Sequence, residues 1–77
     1  MILENNEKIS AAELKSTLRI VYDSLEADGY APAKQLTEYI LSQDPAYITN
    51  LNNARGIMRN IDRDLLLSVL IENFMKN

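Results

Sequence analysis

From Leu14 onward, the apolar residues of this sequence recur every three or four positions, which is the period of a helix with one buried side. No stretch alternates apolar and polar residues as a half-buried strand does, and no Asn-Gly or Asp-Gly turn joins two alternating stretches. The pattern therefore predicts an all-α fold, a compact bundle of four to five short helices.

Local signals predict where the first helix begins and ends. Ser10 and Glu13 have the spacing of a capping box, in which each side chain accepts a hydrogen bond from the other residue's main-chain N–H. Ile9 precedes this cap and is expected to pack on Leu14. Gly29 is the expected stop, because glycine readily adopts the left-handed conformation that ends a helix. The apolar stripe between these points is Leu14, Leu18, Val21, Tyr22 and Leu25.

Two prolines divide the middle of the chain. Pro32 suits the first turn of a second helix, where a missing N–H costs nothing. The expected buried residues of this helix are Leu36, Tyr39 and Ile40. Asp44 and Pro45 are expected to interrupt the second helix and to begin a short turn that contains Tyr47 and Ile48. A third helix is predicted over about 51–60 from its return to a helical period.

The last helix, which Asp62 is expected to cap, is apolar around most of its circumference. Its only polar row consists of Asp64, Ser68, Glu72 and Lys76. A helix with so narrow a polar side is either enclosed by its own domain or shared with another chain. A chain of 77 residues cannot easily enclose it.

The composition also points to a partner subunit. Small domains are commonly stabilised by disulfides, a metal or a second chain, and this sequence has no cysteine and no histidine. We therefore predict a homodimer with the last helix near the two-fold axis. The candidate interface residues are Leu66, Leu67, Leu70, Ile71 and Phe74.

Residues 1–9 show no apolar period, so we expect a flexible lead-in there and a single helical domain over 10–77. No apolar run approaches the roughly 20 residues of a membrane span, and the N-terminus has too few apolar residues for a signal peptide. The expected location is the cytoplasm, without membrane insertion.

The composition excludes most catalytic chemistry. Without histidine or cysteine, the chain has no imidazole base, no thiol nucleophile and none of the usual zinc ligand sets. Asp62 and Asp64 stand two positions apart at a helix start and point to different sides, and neither glycine lies in a phosphate-binding pattern. We expect a protein that is not an enzyme and that binds no cofactor and no metal.

Three of the four arginines, Arg55, Arg59 and Arg63, are spaced four residues apart and would line one face of a continuous helix. Such a row of guanidinium groups suits an acidic protein surface, a phosphorylated segment or a nucleic-acid backbone. Alternatively, Asp62, Asp64 or the acidic first helix neutralises these charges in surface salt bridges, each of which contributes little.

Net charge bears on the class of partner. The whole chain has a net charge of −3, whereas residues 45–77 carry four basic and three acidic side chains. An acidic chain is a poor nucleic-acid binder, although an arginine-bearing helix pair loosely resembles a helix-turn-helix. A protein-binding adaptor, a small DNA-binding protein and a purely structural dimer are the three possibilities. We favour the adaptor and expect no nucleic-acid partner.

Three blocks of sequence resemble one family. They are VYDSLEADGYAP, then LSQDPAYI, then NNARGIMRNIDRDLL. From about Leu18 to its C-terminus, the chain resembles the IreB/ReoM family of small helical regulatory phosphoproteins of Gram-positive bacteria. The most specific matching residues are Tyr22, Leu25, Gly29, Tyr30, Pro32, Asp44, Pro45, Ala46, Tyr47, Asn53, Ala54, Arg55, Arg59, Arg63 and Asp64.

The resemblance implies an all-α homodimer without catalytic activity that acts downstream of a transmembrane Ser/Thr kinase. Members of the family are thought to tune peptidoglycan synthesis by promoting Clp-protease turnover of the enzyme that commits UDP-N-acetylglucosamine to the wall pathway. Phosphorylation of a threonine near the N-terminus relieves this effect. The implied partners are a Clp-protease adaptor, that wall-synthesis enzyme and the kinase. The family arginines implicated in the activity correspond to Arg55, Arg59 and Arg63.

The sequence departs from the family pattern in three places. Its first threonine is Thr17, inside the first helix, so no phosphorylation site is identified. We expect either a member without phospho-control or a chain whose start was assigned too far downstream. Asn50 replaces a family arginine after the DPAY block, which makes the basic surface smaller. Leu65 and Val69 stand where the family tends to carry acids, which widens the apolar side of the last helix.

Overall fold

Four α-helices account for most of residues 10–76, the part of the chain that the computed structural model describes. They are α1 (Ala11–Ala27), α2 (Pro32–Ser42), α3 (Ala54–Arg59) and α4 (Arg63–Lys76), with 3₁₀ turns at Pro45–Tyr47 and Leu51–Asn53. No strand occurs within this part of the chain, so the predicted all-α fold is confirmed. The predicted lead-in over 1–9, including the contact of Ile9 with Leu14, lies outside the described residues.

The first helix begins at the predicted capping box. The Ser10 Oγ accepts a hydrogen bond of 3.1 Å from the main-chain N–H of Glu13, and the Glu13 Oε1 accepts one of 2.9 Å from the N–H of Ser10. Two N–H groups that would otherwise lack helical partners are thereby satisfied. Both partners lie within three positions of each other, so this helix start depends only on local sequence.

The first helix also ends where predicted. Gly29 has a φ of +87°, in the left-handed region that glycine adopts at little cost. The N–H of Tyr30 donates to the carbonyl oxygen of Leu25 at 2.9 Å, and the N–H of Gly29 donates to that of Glu26 at 3.0 Å. These two bonds form a Schellman motif, which turns the chain towards α2.

The second helix starts at Pro32, as predicted, but ends before Asp44 and Pro45 interrupt it. Gln43 adopts a left-handed conformation with a φ of 61° and donates its N–H to the Tyr39 carbonyl at 2.7 Å. Asp44 then caps the first 3₁₀ turn, because its Oδ1 accepts from the N–H of Ala46 at 2.9 Å. The proline therefore begins a new turn rather than terminating the helix.

The third helix is shorter than predicted and begins at Ala54 rather than near residue 51. Asn52 and Asn53 have φ values of 55° and 60°, and two left-handed residues in succession break an α-helix. Gly56 follows closely, and a Cβ at that position would lie 2.6 Å from the Asn53 Oδ1. The asparagine side chain therefore occupies space that only a glycine leaves open.

The core is formed by residues from all four helices and from the segment between α2 and α3. Its fully or nearly fully buried apolar residues are Leu14, Val21, Leu25, Leu36, Ile48, Ala54, Met58 and Leu66. Tyr39 and Ile40 pack against this core in part, as expected for α2. Tyr22, which we predicted within the buried stripe of α1, is 37% exposed, and the Arg19 guanidinium lies 5.4 Å from its ring centroid.

The last helix leaves most of its apolar residues uncovered within residues 10–76. Asp62 caps it as predicted, because its Oδ1 accepts from the N–H of Asp64 at 2.9 Å. Leu66 is buried in the core of its own chain and is therefore not available to a second copy, contrary to our interface prediction. Every residue from Leu70 to Lys76 is exposed, and Phe74 is exposed at 79%. The predicted excess of apolar surface on this helix is thus present in the structure.

Replacing Gly29 tests the turn between α1 and α2. We expect Gly29→Ala to lower the free energy of unfolding by about 1 kcal/mol, because an L side chain is strained at this φ. Gly29→Asn should keep most of the stability, since asparagine tolerates the left-handed region. Urea unfolding of the three proteins at equal concentration measures this. Equal stability of the alanine variant and the wild type would contradict it.

Candidate functional site

The three arginines singled out from the sequence lie on two helices. Arg55 is in the first turn of α3, Arg59 is the last residue of α3, and Arg63 is the first residue of α4. Residues 60–62 separate the helices and are not helical. No continuous helix therefore aligns the three side chains, and each one has a different environment.

Arg55 is partly buried and is held against the first 3₁₀ turn. Its Nε–H is shared between the carbonyl oxygens of Pro45, at 3.0 Å, and Ile48, at 2.8 Å. The terminal nitrogens, Nη1 and Nη2, make no hydrogen bond within residues 10–76. The Nε contacts fix the guanidinium group while its outer nitrogens stay available to a partner.

Arg63 joins the start of α4 to the end of α2. Its Nη1 donates to the carbonyl oxygen of Ile40 at 2.8 Å, and its side chain is partly buried. Ile40 lies in the last turn of α2, where carbonyl oxygens lack intrahelical partners and carry the negative end of the helix dipole. A cation there satisfies an acceptor and helps hold the two helices together.

Arg59 differs from the other two because it is exposed and makes no hydrogen bond to any residue of 10–76. Its charge also has no carboxylate partner in that range. The salt bridge found there joins Arg19 to Asp23 at 3.4 Å, and none of the three arginines pairs with Asp62, with Asp64 or with an acid of α1. The bonds of Arg55 and Arg63 to main-chain carbonyls were not predicted from the spacing.

The segment 45–52, whose carbonyl oxygens accept hydrogen bonds from Arg55, is also hydrogen-bonded to α1. The Asn52 Nδ2 donates to the Oγ of Ser24 at 2.9 Å, and Ser24 is buried. The Thr49 Oγ1 donates to the Oδ2 of Asp28 at 2.6 Å. Because buried polar groups must find partners, these bonds specify one position for the segment relative to α1. The setting of Arg55 is therefore fixed by contacts on both sides.

A family model described as IreB regulatory phosphoprotein matches residues 1–76 of this chain. The chain belongs to the IreB family. The resemblance seen in three sequence blocks from Leu18 onward is thereby confirmed, and the match also includes the residues before Leu18. Members of this family are regulatory proteins, so a regulatory role is the coarse functional assignment of this chain.

Other classes of site are not found in the described part of this IreB-family chain. Within residues 10–76, no group of three or more aspartate or glutamate side chains is placed to hold a metal ion. No helix of the same range is long and apolar enough to cross a membrane.

The sequence only partly indicates how the segment 45–52 is held against α1. Asn52 and Asn53 weaken a helix, and asparagine is the non-glycine residue that most readily adopts the left-handed conformation. The partner of Asn52 lies 28 positions away, so no local pattern reveals the bond to Ser24. Arg55 and Arg63 likewise reach carbonyl oxygens, which have no sequence signature.

The three arginines should differ in their effect on stability. We expect Arg63→Ala and Arg55→Ala each to lower the free energy of unfolding by about 1–2 kcal/mol, because carbonyl acceptors lose a charged donor. Arg59→Ala should change it by less than about 0.5 kcal/mol, because this side chain is exposed and unbonded within 10–76. Thermal and urea unfolding of the three variants measure the difference. Equal losses in all three would contradict the assignment.

Proposed function

We propose that this chain is a non-catalytic cytoplasmic adaptor that tunes peptidoglycan synthesis downstream of a Ser/Thr kinase. In this proposal it promotes the Clp-dependent turnover of the first committed enzyme of the wall pathway. Membership of the IreB family supports a regulatory role. The observation that supports the proposal is that Arg55, Arg59 and Arg63 have no carboxylate partner within residues 10–76. We refer to these three residues as the arginine surface.

This arginine surface suits an acidic region of a partner protein. Guanidinium groups bind carboxylates through paired hydrogen bonds, and such charge-assisted bonds are about twice as strong as neutral ones. None of the three arginines is neutralised by a carboxylate within residues 10–76, so each charge is available for association. We expect complementary charge to raise the association rate and added salt to weaken it. A Clp-protease adaptor and the wall-synthesis enzyme are the proposed partners.

The same surface is poorly suited to nucleic acid. Binding to a phosphate backbone commonly uses about six to ten cationic contacts. Here Arg55 and Arg63 each use an N–H group in hydrogen bonds within their own chain, and the net charge of the protein is −3. The DNA-binding alternative therefore receives no support from the geometry of these arginines.

We also propose that the adaptor is a homodimer assembled through α4. The exposed apolar residues of this helix are Leu67, Leu70, Ile71, Phe74 and Met75. Of these, Leu70 also lines an apolar groove of about 600 Å³ between α1 and α4, together with Leu18 and Val69. A two-fold axis brings one patch against its own copy, so a surface with both a groove and projecting side chains can complement itself. Such pairing would cover the uncovered half of α4.

The proposal includes the kinase as an upstream partner but assigns no phosphorylation site on this chain. Thr17 lies within α1 and is partly buried, Thr37 bonds to the Ala33 carbonyl within α2, and Thr49 is buried. None of these hydroxyls lies in an exposed loop, the setting in which modified residues are usually found. The proposed link to the kinase therefore rests on family membership alone.

Affinity capture tests the adaptor proposal. Bait proteins would be the wild type, an Arg55→Ala/Arg59→Ala double variant and Arg19→Ala, which removes an exposed arginine on α1 as a matched control. We expect the wild type and the control to retain a Clp-protease adaptor or the wall-committing enzyme from the source cytoplasm. The double variant should retain at least tenfold less by quantitative mass spectrometry, because it loses two charge-assisted contacts.

Equal recovery of these partners by all three baits would show that binding does not use the arginine surface. Recovery of neither named partner by the wild type would contradict the proposed function itself. Retention of nucleic acid by the wild type, lost steeply as salt rises, would support the DNA-binding alternative instead.

Sedimentation velocity tests the dimer. The wild type should sediment at about 17.6 kDa, twice the chain mass of 8.8 kDa. Ile71→Asp/Phe74→Asp should sediment as a monomer, because it places charges in an apolar interface. Ser68→Asp adds charge to the polar row of the same helix and should remain dimeric. A wild-type protein that is monomeric at high micromolar concentration would contradict the proposed dimer.

A further inference from the structure

A polar cleft of about 330 Å³ lies beside the arginine surface, between the end of α1 and the segment 46–51. It is separate from the apolar groove between α1 and α4, with which it shares no lining residue. The side chains that give this cleft its chemistry are Arg55, Asp28, Tyr30, Tyr47, Thr49 and Asn50. Neither the sequence pattern nor family membership assigns a role to it.

Arg55 presents a fixed guanidinium group to this cleft. Its Nε–H is occupied by the carbonyl oxygens of Pro45 and Ile48, which leaves the N–H groups of Nη1 and Nη2 as unassigned donors within residues 10–76. A planar fork of this kind matches the two oxygens of a carboxylate. Because the group is already oriented, binding costs less conformational entropy than it would at a freely rotating arginine.

Three main-chain carbonyl oxygens at or next to the cleft are already hydrogen-bonded. Arg55 occupies the carbonyl oxygens of Pro45 and Ile48, and the Gln35 Nε2 donates to that of Tyr47 at 3.0 Å. Among the groups that line the cleft, the Arg55 guanidinium can only donate, whereas the Asn50 amide and the tyrosine hydroxyls can donate or accept. The Arg55 N–H groups therefore suit a ligand that supplies acceptor oxygens.

Asp28 adds a negative charge to the lining of the same cleft. Its Oδ2 accepts from the Thr49 hydroxyl at 2.6 Å, and it forms no ion pair with Arg55. Its negative charge therefore also acts on a ligand in the cleft. Coulomb repulsion doubles when the ligand charge doubles, so Asp28 disfavours a dianion more than a monoanion.

We propose that this cleft binds one carboxylate side chain, from an aspartate or glutamate of a partner protein. Arg55 supplies the donor fork, Asn50 lines the same cleft, and Asp28 opposes the binding of additional negative charge. This inference rests on the proposed function, because it names the chemical group by which an acidic partner would engage the arginine surface.

Side-chain NMR of the 77-residue chain tests the inference without the natural partner. The chain has four arginines, so a ¹⁵N spectrum contains four Nε–H signals, and Arg19 serves as an internal reference. The probes are N-acetyl-glutamic acid N-methylamide, its glutamine counterpart and N-acetyl-phosphoserine N-methylamide, all at constant ionic strength. At pH 7.5 the phosphoseryl probe is mainly a dianion.

We expect the glutamate probe to shift the Arg55 signal along a saturating curve and to leave Arg19 nearly unchanged. The glutamine probe should have no effect, and the phosphoseryl probe should bind no more tightly than the glutamate probe. Asn50→Ala should weaken glutamate binding at least twofold. Asp28→Asn keeps an acceptor for Thr49 while it removes the charge. If Asp28→Asn strengthens glutamate binding about threefold, it should strengthen phosphoseryl binding about ninefold, because the repulsion energy from Asp28 is doubled for a dianion.

A shift of Arg55 that does not saturate, or that equals the shift of Arg19, would overturn the cleft as a site. Phosphoseryl binding tighter than glutamate binding would overturn the carboxylate as the ligand and would indicate a phosphorylated partner. An equal gain of the two probes in Asp28→Asn would overturn the role of Asp28. These outcomes are independent of affinity capture. If the named partners are captured but the Arg55 NMR signal does not saturate with the glutamate probe, the proposed function stands and the cleft is not a binding site. If the Arg55 signal saturates but neither partner is captured, the cleft is a binding site and the proposed function is contradicted.

Discussion

The left-handed conformation of Asn52 and Asn53 is the constraint on which the position of α3 depends. Two such residues in succession are costly unless their surroundings compensate. Asn52 is held by the buried hydroxyl of Ser24, and the side chain of Asn53 occupies the space beside Gly56. Through this turn, Ala54 and Met58 reach the core while Arg55 reaches the first 3₁₀ turn. The same few bonds therefore set both a part of the core and the orientation of one functional side chain.

The arginines combine structural and surface roles. Arg55 and Arg63 bind carbonyl oxygens of neighbouring segments, whereas Arg59 is directed to solvent. A surface built in this way is preorganised, because the inner arginines hold the elements that present the outer one. It also means that loss of activity on mutation of Arg55 or Arg63 would combine a loss of stability with a loss of contact. Mutation of the exposed Arg59 should remove a partner contact with little loss of stability.

Much of the fold could be predicted from the sequence because its helix ends depend on local chemistry. These helix ends depend on a few neighbouring residues in each case: the capping box at Ser10, the left-handed Gly29, the first-turn Pro32 and the cap at Asp62.

Other features could not be predicted from local sequence. The predicted start of α3 is too early, because apolar periodicity does not reveal two left-handed residues. The environment of the arginines could not be predicted, since Arg63 reaches a carbonyl 23 positions away and Arg55 one that is ten positions away. The uncovered apolar surface of α4 was anticipated from its narrow polar row, but the burial of Leu66 in its own chain was not.

The footprint of an acidic partner on this chain is the most direct measurement of how the adaptor works. Main-chain and arginine side-chain NMR signals of the ¹⁵N-labelled protein would be followed while the unlabelled wall-committing enzyme or Clp-protease adaptor is added. We predict that the perturbed signals cluster on the segment 44–51, on α3 and at the start of α4, with Arg59 affected most and Arg19 unaffected. A footprint confined to α1 or to the exposed end of α4 would contradict the role assigned to the arginine surface.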